Sequence, residues 1–327
     1  MTNELNNSLR VFAGRHSKEL SQRICHRLDI PLGDARTSTF PDGEIFVTVE
    51  EDVRGRDCYL ILSTCDPVND NLMELLITLD CLKRASAWHV TVVMPYFGYG
   101  RQDRKDAGRV PISAKLVANL IAVARADRVV AIDLHAAQIQ GFFDIPVDHL
   151  QATPIFLDYF ASVRDGLGDL CMVSPDVGNV KVAEGFANLL SADLAIINKR
   201  RLSGSEVATG HLIGSVKDKT VIMVDDMIST AGTVCQAARL VMDAGARDVI
   251  AAATHGVFVG EAMDRLAASP ISRIVTTNTV PQGDRAEPIK DKLVELCVSP
   301  LLGDAIYRIH NNQSVSALFR RTAGAKR

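Results

Sequence analysis

Asp225 and Asp226 close the apolar run that starts at Thr220, and Ser229-Thr230-Ala231-Gly232-Thr233 follow before a helical pattern opens. Small residues let the backbone approach an anion, and a helix start adds N–H donors and partial positive charge, so this stretch can cradle a phosphate. The two acids beside it can accept hydrogen bonds from sugar hydroxyls. An Asp-rich strand end before a Thr-capped helix would look similar without a ligand, but two acids with hydroxyls and a glycine favour binding.

Three further groups each follow an apolar run. Arg101 and Gln102 sit in Pro95-Tyr-Phe-Gly-Tyr-Gly-Arg-Gln-Asp-Arg-Lys105, where aromatics border a cationic patch. Arginine clamps phosphate oxygens and glutamine reads an adenine edge, which suits a nucleoside triphosphate, although a basic loop alone is usually a solvated surface. Asp133 and His135 follow Val129-Val-Ala-Ile, and strand alternation would turn both to one face at its C-terminal end. A lone Asp-Leu-His is more often a buried structural histidine. Lys199-Arg200-Arg201 is a cationic strand end, commonly just solvated.

Short β-rich runs alternating with helical patterns must position these groups. Leu9 to Ala13, Tyr59 to Leu62 and His89 to Met94 read as strands; Ser17 to Leu28 (capped by Ser17), Asn69 to Arg84 and Ser113 to Ala124 read as helices. Thr37 to Phe40 and Ile45 to Val49 flank Pro41-Asp42-Gly43, which predicts a hairpin standing off a parallel sheet. The pattern restarts near residue 150, with helices over Ala152 to Val163, Val180 to Leu190 and Thr230 to Met242. Strands are expected at Leu170 to Val173, Leu194 to Ile197 and Thr220 to Val224. Two α/β domains follow, residues 1–150 and 151–327, each a largely parallel sheet flanked by helices.

Composition narrows the classes. The chain has 327 residues, more than one core usually organises, with 36 Lys plus Arg against 39 Asp plus Glu. A net charge of −3 is no footprint for nucleic acid or an anionic membrane, so phosphate-binding charge must be local. Seven scattered cysteines without a Cys-x-x-Cys pair suggest neither disulfides nor structural zinc, and fit a reducing cytoplasm. No apolar run approaches the roughly 20 residues of a membrane span, and no leader pattern opens the chain.

The loop at 225–233 resembles the sugar-phosphate loop of type I phosphoribosyltransferases and, more closely, that of ribose-phosphate pyrophosphokinases, with Ser229 and Ala231 where that family often has Asp and Gly. Segments 95–105, 40–44, 133–148 (Asp-Leu-His-Ala-Ala onward), Ser174-Pro-Asp-Val-Gly178 and Asn198-Lys-Arg-Arg201 resemble the same family in the same order. Asn179 stands where the family usually has a second glycine. The resemblance implies two phosphoribosyltransferase-like domains with a protruding hairpin in the first. It also implies ATP contacts at Phe40, Asp42, Gly43, Glu44, Arg101 and Gln102, the hairpin serving a neighbouring subunit's site. Ribose 5-phosphate would lie on Asp225, Asp226, Ser229, Thr230, Ala231, Gly232 and Thr233. Mg²⁺ would be held at His135, Asp133 and Asp176, with Lys199 and Arg201 neutralising transferring charge.

The activity so implied moves the pyrophosphoryl group of Mg·ATP to the C1 hydroxyl of ribose 5-phosphate, giving 5-phosphoribosyl 1-pyrophosphate and AMP. The family is associated with homohexamers, and its phosphate-activated class adds phosphate and ADP as allosteric ligands. The rivals are a phosphoribosyltransferase, which would not need Arg101 and Gln102, and a silent relative, which should have lost site residues.

Overall fold

The computed structural model describes residues 8–175, 178–199 and 210–318. In chain order the first elements are β1 (Leu9–Ala13), α1 (Lys18–Leu28), β2 (Ala35–Thr39), β3 (Ile45–Val49), β4 (Asp57–Ile61), α2 (Val68–Arg84), β5 (His89–Met94), α3 (Ser113–Val123), β6 (Arg128–Ile132) and β7 (Val147–Leu150). Next come α4 (Thr153–Ser162), β8 (Leu170–Ser174), α5 (Val180–Leu190), β9 (Asp193–Lys199), β10 (Gly210–Ile213), β11 (Thr220–Ile228) and α6 (Gly232–Asp243). The last are β12 (Asp248–Gly256), α7 (Ala262–Ala267), β13 (Arg273–Thr277), β14 (Leu293–Leu296) and α8 (Ser299–His310). This is an α/β architecture of two compact units.

The first unit is built on a parallel sheet in the order β1-β4-β5-β6-β7. Its central strands are apolar almost throughout because helices cover both faces: Leu60, Val90 and Val92 are buried beside Leu75, Leu79 and Leu82 of α2. The predicted hairpin forms from β2 and β3 as a separate antiparallel pair. Ser17 does not cap α1 with its side chain. A 3₁₀ turn over Arg15–Ser17 runs directly into the helix, and the Ser17 hydroxyl instead accepts the Ser63 N–H at 2.9 Å, tying helix start to the end of β4.

The second unit carries a seven-stranded sheet ordered β10-β9-β8-β11-β12-β13-β14, parallel except for the β9–β10 pair. Its core pairs Val221, Met223, Val249 and Ala251 with the small residues Ala237 and Ala238 of α6, which permit close helix–sheet packing.

The chain divides differently from a single cut at residue 150. The second unit holds Thr153–Asn278 and Gln282–Leu296, whereas Thr279–Pro281 and residues 297–318 belong to the first. The reason lies on α8, whose stripe of Leu302, Ala305 and Ile306 is buried and which packs on α1. Arg27 pairs with Asp304 at 2.7 Å, and His310 Nδ1 meets the Asp57 carboxylate at 2.6 Å.

Asp57 is 6% exposed, and the ring nitrogen of His89 lies 3.5 Å from its other oxygen. Burial pushes its carboxyl up, but hydrogen bonds and charge from His310 and His89 outweigh that and hold it below the usual carboxylate range. A depressed folded value means stability that is present above the unfolded value of about 3.9 and lost as pH falls through the folded one. Asp57→Asn should therefore lower the melting temperature at pH 7 by the equivalent of about 1–3 kcal/mol. The gap from wild type should begin to narrow as pH falls through about 3.9 and close only below the folded value, where the native carboxylate is also protonated; a gap independent of pH in thermal melts would contradict this.

Candidate functional site

In the second sheet the connection from β8 goes to β9 on one side, while β11 lies on the other and continues to β12. The strand order reverses between β8 and β11, and in such sheets ligands bind beyond the carboxyl ends of the strands at that point. Ser174 ends β8 there, and Asp225 and Asp226 lie near the end of β11. The strand is longer than predicted: it runs through both acids to Ile228, because pairing with β12 continues from Asp225↔Ala253 to Ile228↔Gly256. The Asp225 carboxylate accepts the Asp226 N–H at 2.9 Å and faces the Asn179 carboxamide at 3.4 Å.

The loop from Ser229 to Ala231 has its carbonyls turned back into the protein. The Ile228 carbonyl accepts from Val257 and Phe258, and that of Ser229 accepts from Val259, each at 3.0 Å. The Thr230 carbonyl takes the Arg265 guanidinium at 3.0 Å, and that of Ala231 takes Cys235 N–H at 3.0 Å in the first turn of α6. In a trans peptide the N–H points opposite to the preceding C=O. The N–H groups of Thr230, Ala231 and Gly232 are thereby aimed away from these donors, toward the start of α6, which suits an anion. Ala231 holds a left-handed φ of 59° with its methyl buried, the conformation this cradle requires. A Cβ on Gly232 would meet protein no nearer than 3.8 Å, so internal packing does not demand the glycine; an approaching ligand would.

Residues from the first unit make a second cluster. Gly98 donates its N–H to Thr64 Oγ1 at 2.7 Å, Thr64 N–H bonds the Tyr96 carbonyl at 3.0 Å, and a Cβ on Gly98 would fall 2.3 Å from the Thr64 carbonyl oxygen. The loop past β5 is thus laced to the loop past β4. It presents Arg101 and Gln102 exposed, with the Gln102 carboxamide oxygen accepting the Ser113 hydroxyl at the start of α3. Gln138 bonds Asp103 at 2.9 Å, Phe97 and Phe143 rings meet at 5.9 Å, and His135 Cβ lies 3.7 Å from the Cβ position of Gly100. The structure therefore brings Arg101 and Gln102 together with His135.

Asp133 and His135 do not share a strand face. β6 ends at Ile132, and Asp133 adopts φ 38°, so the alternation argument stops one residue too soon. Asp133 Oδ2 accepts the Ala152 N–H at 3.1 Å, and His135 is exposed. Asp176 and Arg201 lie outside the described residues, and Lys199 is the last residue of β9, opposite Gly210 of β10. Among the described residues no three His, Cys, Asp or Glu side chains gather as a metal-holding group. A Mg²⁺ that keeps several waters and binds through one or two carboxylates plus substrate phosphates asks for fewer protein donors than that, and the Asp133 carboxylate is the donor type it prefers.

On the hairpin, Gly43 has φ 96° and Phe40 N–H bonds the Glu44 carbonyl at 2.8 Å, closing a turn that leaves Phe40 and Phe46 48% and 46% exposed, rings 5.5 Å apart. The hairpin is not a free arm. Thr37 donates to Glu74 Oε1 at 2.9 Å, and the fully buried Glu74 side chain pairs with Arg15 at 3.1 Å, whose guanidinium also reaches Thr39. The sequence reading missed Glu74, Arg15 and Arg265 as positioning groups. The sequence signal available for Glu74 was only an acid lying next to Leu75 and Leu76 of the helical stripe of α2.

Residues 9–124 match the family model described as the N-terminal domain of ribose phosphate pyrophosphokinase, and residues 202–320 match the phosphoribosyl synthetase-associated domain. The chain is 53% identical over 313 residues to a ribose-phosphate pyrophosphokinase of Rhodopirellula baltica, covering 95% of this chain and 98% of that one. It is 50% identical over 314 residues to the enzyme of that name from Gloeobacter violaceus, covering 95% and 93%. A crystal structure of phosphoribosylpyrophosphate synthetase from Mycobacterium smegmatis superposes with a TM-score of 0.88 at 42% identity, covering 94% of this chain and 100% of that one.

Proposed function

The chain belongs to the ribose-phosphate pyrophosphokinase family and is an enzyme of 5-phosphoribosyl 1-pyrophosphate synthesis, and we propose from that premise how its residues divide the work. The observation that carries the division is the loop at 229–232, with its carbonyls turned inward behind two acids at the switch point of the second sheet. Ribose 5-phosphate lies there, its phosphate on the N–H groups of Thr230, Ala231, Gly232 and Thr233 and the Ser229 and Thr230 hydroxyls, its ring hydroxyls on Asp225 and Asp226. ATP is held by Arg101 and Gln102 together with Phe40, Asp42, Gly43 and Glu44.

The C1 hydroxyl oxygen attacks the β-phosphorus of ATP, the bond from that phosphorus to the oxygen bridging the α-phosphorus breaks, AMP leaves with that oxygen, and the hydroxyl proton passes to solvent. Positioning and charge stabilisation do most of the work in such transfers. Lys199 and Arg201 donate to the oxygens on which charge develops. Asp133, His135 and Asp176 would hold Mg²⁺, which when bound neutralises phosphate charge.

The proposal includes self-association as a homohexamer, supported by the exposed aromatic tip of a hairpin whose base is anchored. Phosphate and ADP are its proposed allosteric ligands. A cytoplasmic setting is supported by seven cysteines with no Cys-x-x-Cys pair among them. Among the described residues no helix is long and apolar enough to cross a membrane.

Incubating the pure protein with Mg·ATP and ribose 5-phosphate should yield AMP and the pyrophosphorylated sugar in equal amounts by ³¹P NMR. Release of inorganic pyrophosphate from added 5-phosphoribosyl 1-pyrophosphate and a nucleobase would instead indicate a phosphoribosyltransferase. No turnover of either pair would leave a silent relative.

A further inference from the structure

Pairing between β8 and β11 runs only from Thr220↔Leu170 to Ile222↔Met172. Past that register β11 continues through Asp225 paired with β12. The acids this strand end carries must hold still for a sugar. Asn179, the residue just before α5, bonds to it. Its Nδ2 donates to the Val224 carbonyl at 2.6 Å and lies 3.4 Å from Asp225 Oδ1, the same oxygen that accepts the Asp226 N–H. One carboxamide thus ties the strand backbone at Val224 and faces the adjacent carboxylate.

We propose that Asn179 is a positioning residue for ribose 5-phosphate binding, acting through Asp225 by its bond to the Val224 carbonyl and its contact with the Asp225 carboxylate. The inference rests on the reading that Asp225 holds the ribose hydroxyls. Asn179 itself touches no reacting atom. A side chain shorter or without an N–H at 179 loses the bond to the Val224 carbonyl and one of the contacts that orient the Asp225 carboxylate, so that holding it still costs more at each binding event. The effect belongs to one substrate, because Arg101 and Gln102 are carried on the loop after β5, in the first sheet.

The test is a double-mutant cycle read as Michaelis constants for each substrate. Asn179→Ala is expected to raise KM for ribose 5-phosphate about fivefold to tenfold, the size of losing one ordinary hydrogen bond, with KM for ATP within about twofold of wild type. On an Asp225→Asn background the same change should add less than about twofold, because the two residues act as one unit. Asn179→Asp, which sets a second carboxylate against Asp225, should be worse than Ala. Thermal melts accompany each variant, and Asn179→Ser replaces Ala if the latter does not fold. Equal losses for both substrates, or a full additional loss on the Asp225→Asn background, would overturn the positioning role. An Asp225→Asn enzyme with an unchanged KM for ribose 5-phosphate would overturn the site reading beneath it instead, so the two failures are told apart.

Discussion

Replacing Lys199 with alanine is expected to lower kcat by about 10² to 10³ while both Michaelis constants change far less, since a lost donor aimed at transition-state charge costs about 3–4 kcal/mol. Lys199 is the last residue of β9, and β9 lies beside β8, pairing Ile196 with Ser174, so it extends past the end of the switch-point strand. A cation there is carried by a rigid ladder up to its own Cα, then by four flexible bonds, which suits a group that must find charge only as the reaction proceeds. Rapid-quench assays of the folded variant with saturating substrates measure the effect. A kcat near wild type would remove Lys199 from the catalytic set.

Gly98→Ala should be the most damaging small change in the first unit. The new methyl carbon would fall 2.3 Å from the Thr64 carbonyl oxygen, and both partners of that clash are backbone, held by the Gly98 N–H to Thr64 Oγ1 and the Thr64 N–H to the Tyr96 carbonyl. Neither can rotate aside. Overpacking of this kind costs about 3 kcal/mol or more, which for a unit of this size lowers the melting temperature by roughly 6–12 °C. Because the same loop presents Arg101 and Gln102, KM for ATP should rise in whatever enzyme still folds. Calorimetry and an ATP titration check both parts, and an unshifted melting temperature would mean that the two loops are not rigidly laced.

Much of this was legible in the sequence because the relevant signals are local. Continuous apolar runs gave β1 and β5 to the residue, helical spacing gave α5, and Pro41-Asp42-Gly43 gave the hairpin. What escaped depended on partners distant in the chain. Nothing near Asp225 announces that β12 extends the strand through both acids, and nothing near Ile132 announces that Asp133 turns left-handed. Ser17 has the composition of a cap, yet its hydroxyl serves Ser63. Glu74 looks like one acid in an amphipathic helix, and its role appears once Arg15 and Thr37 are seen around it. The cationic loop beginning at Arg200 and the acid at 176 were identified from sequence and lie outside the described residues.

The return of α8 to the first unit sets an order of events during synthesis. Residues 153–296 must leave the ribosome before Ser299–His310 can dock on α1 and His310 can reach Asp57. At about 5–20 residues per second this leaves the nascent first unit without its last helix for on the order of ten seconds. Throughout that interval the apolar face of α1 lacks its cover and the Asp57 carboxylate lacks one of its two histidines. A message broken anywhere before codon 299 would yield a chain whose first unit stays in that state permanently, marked for chaperones and proteases by exposed apolar surface.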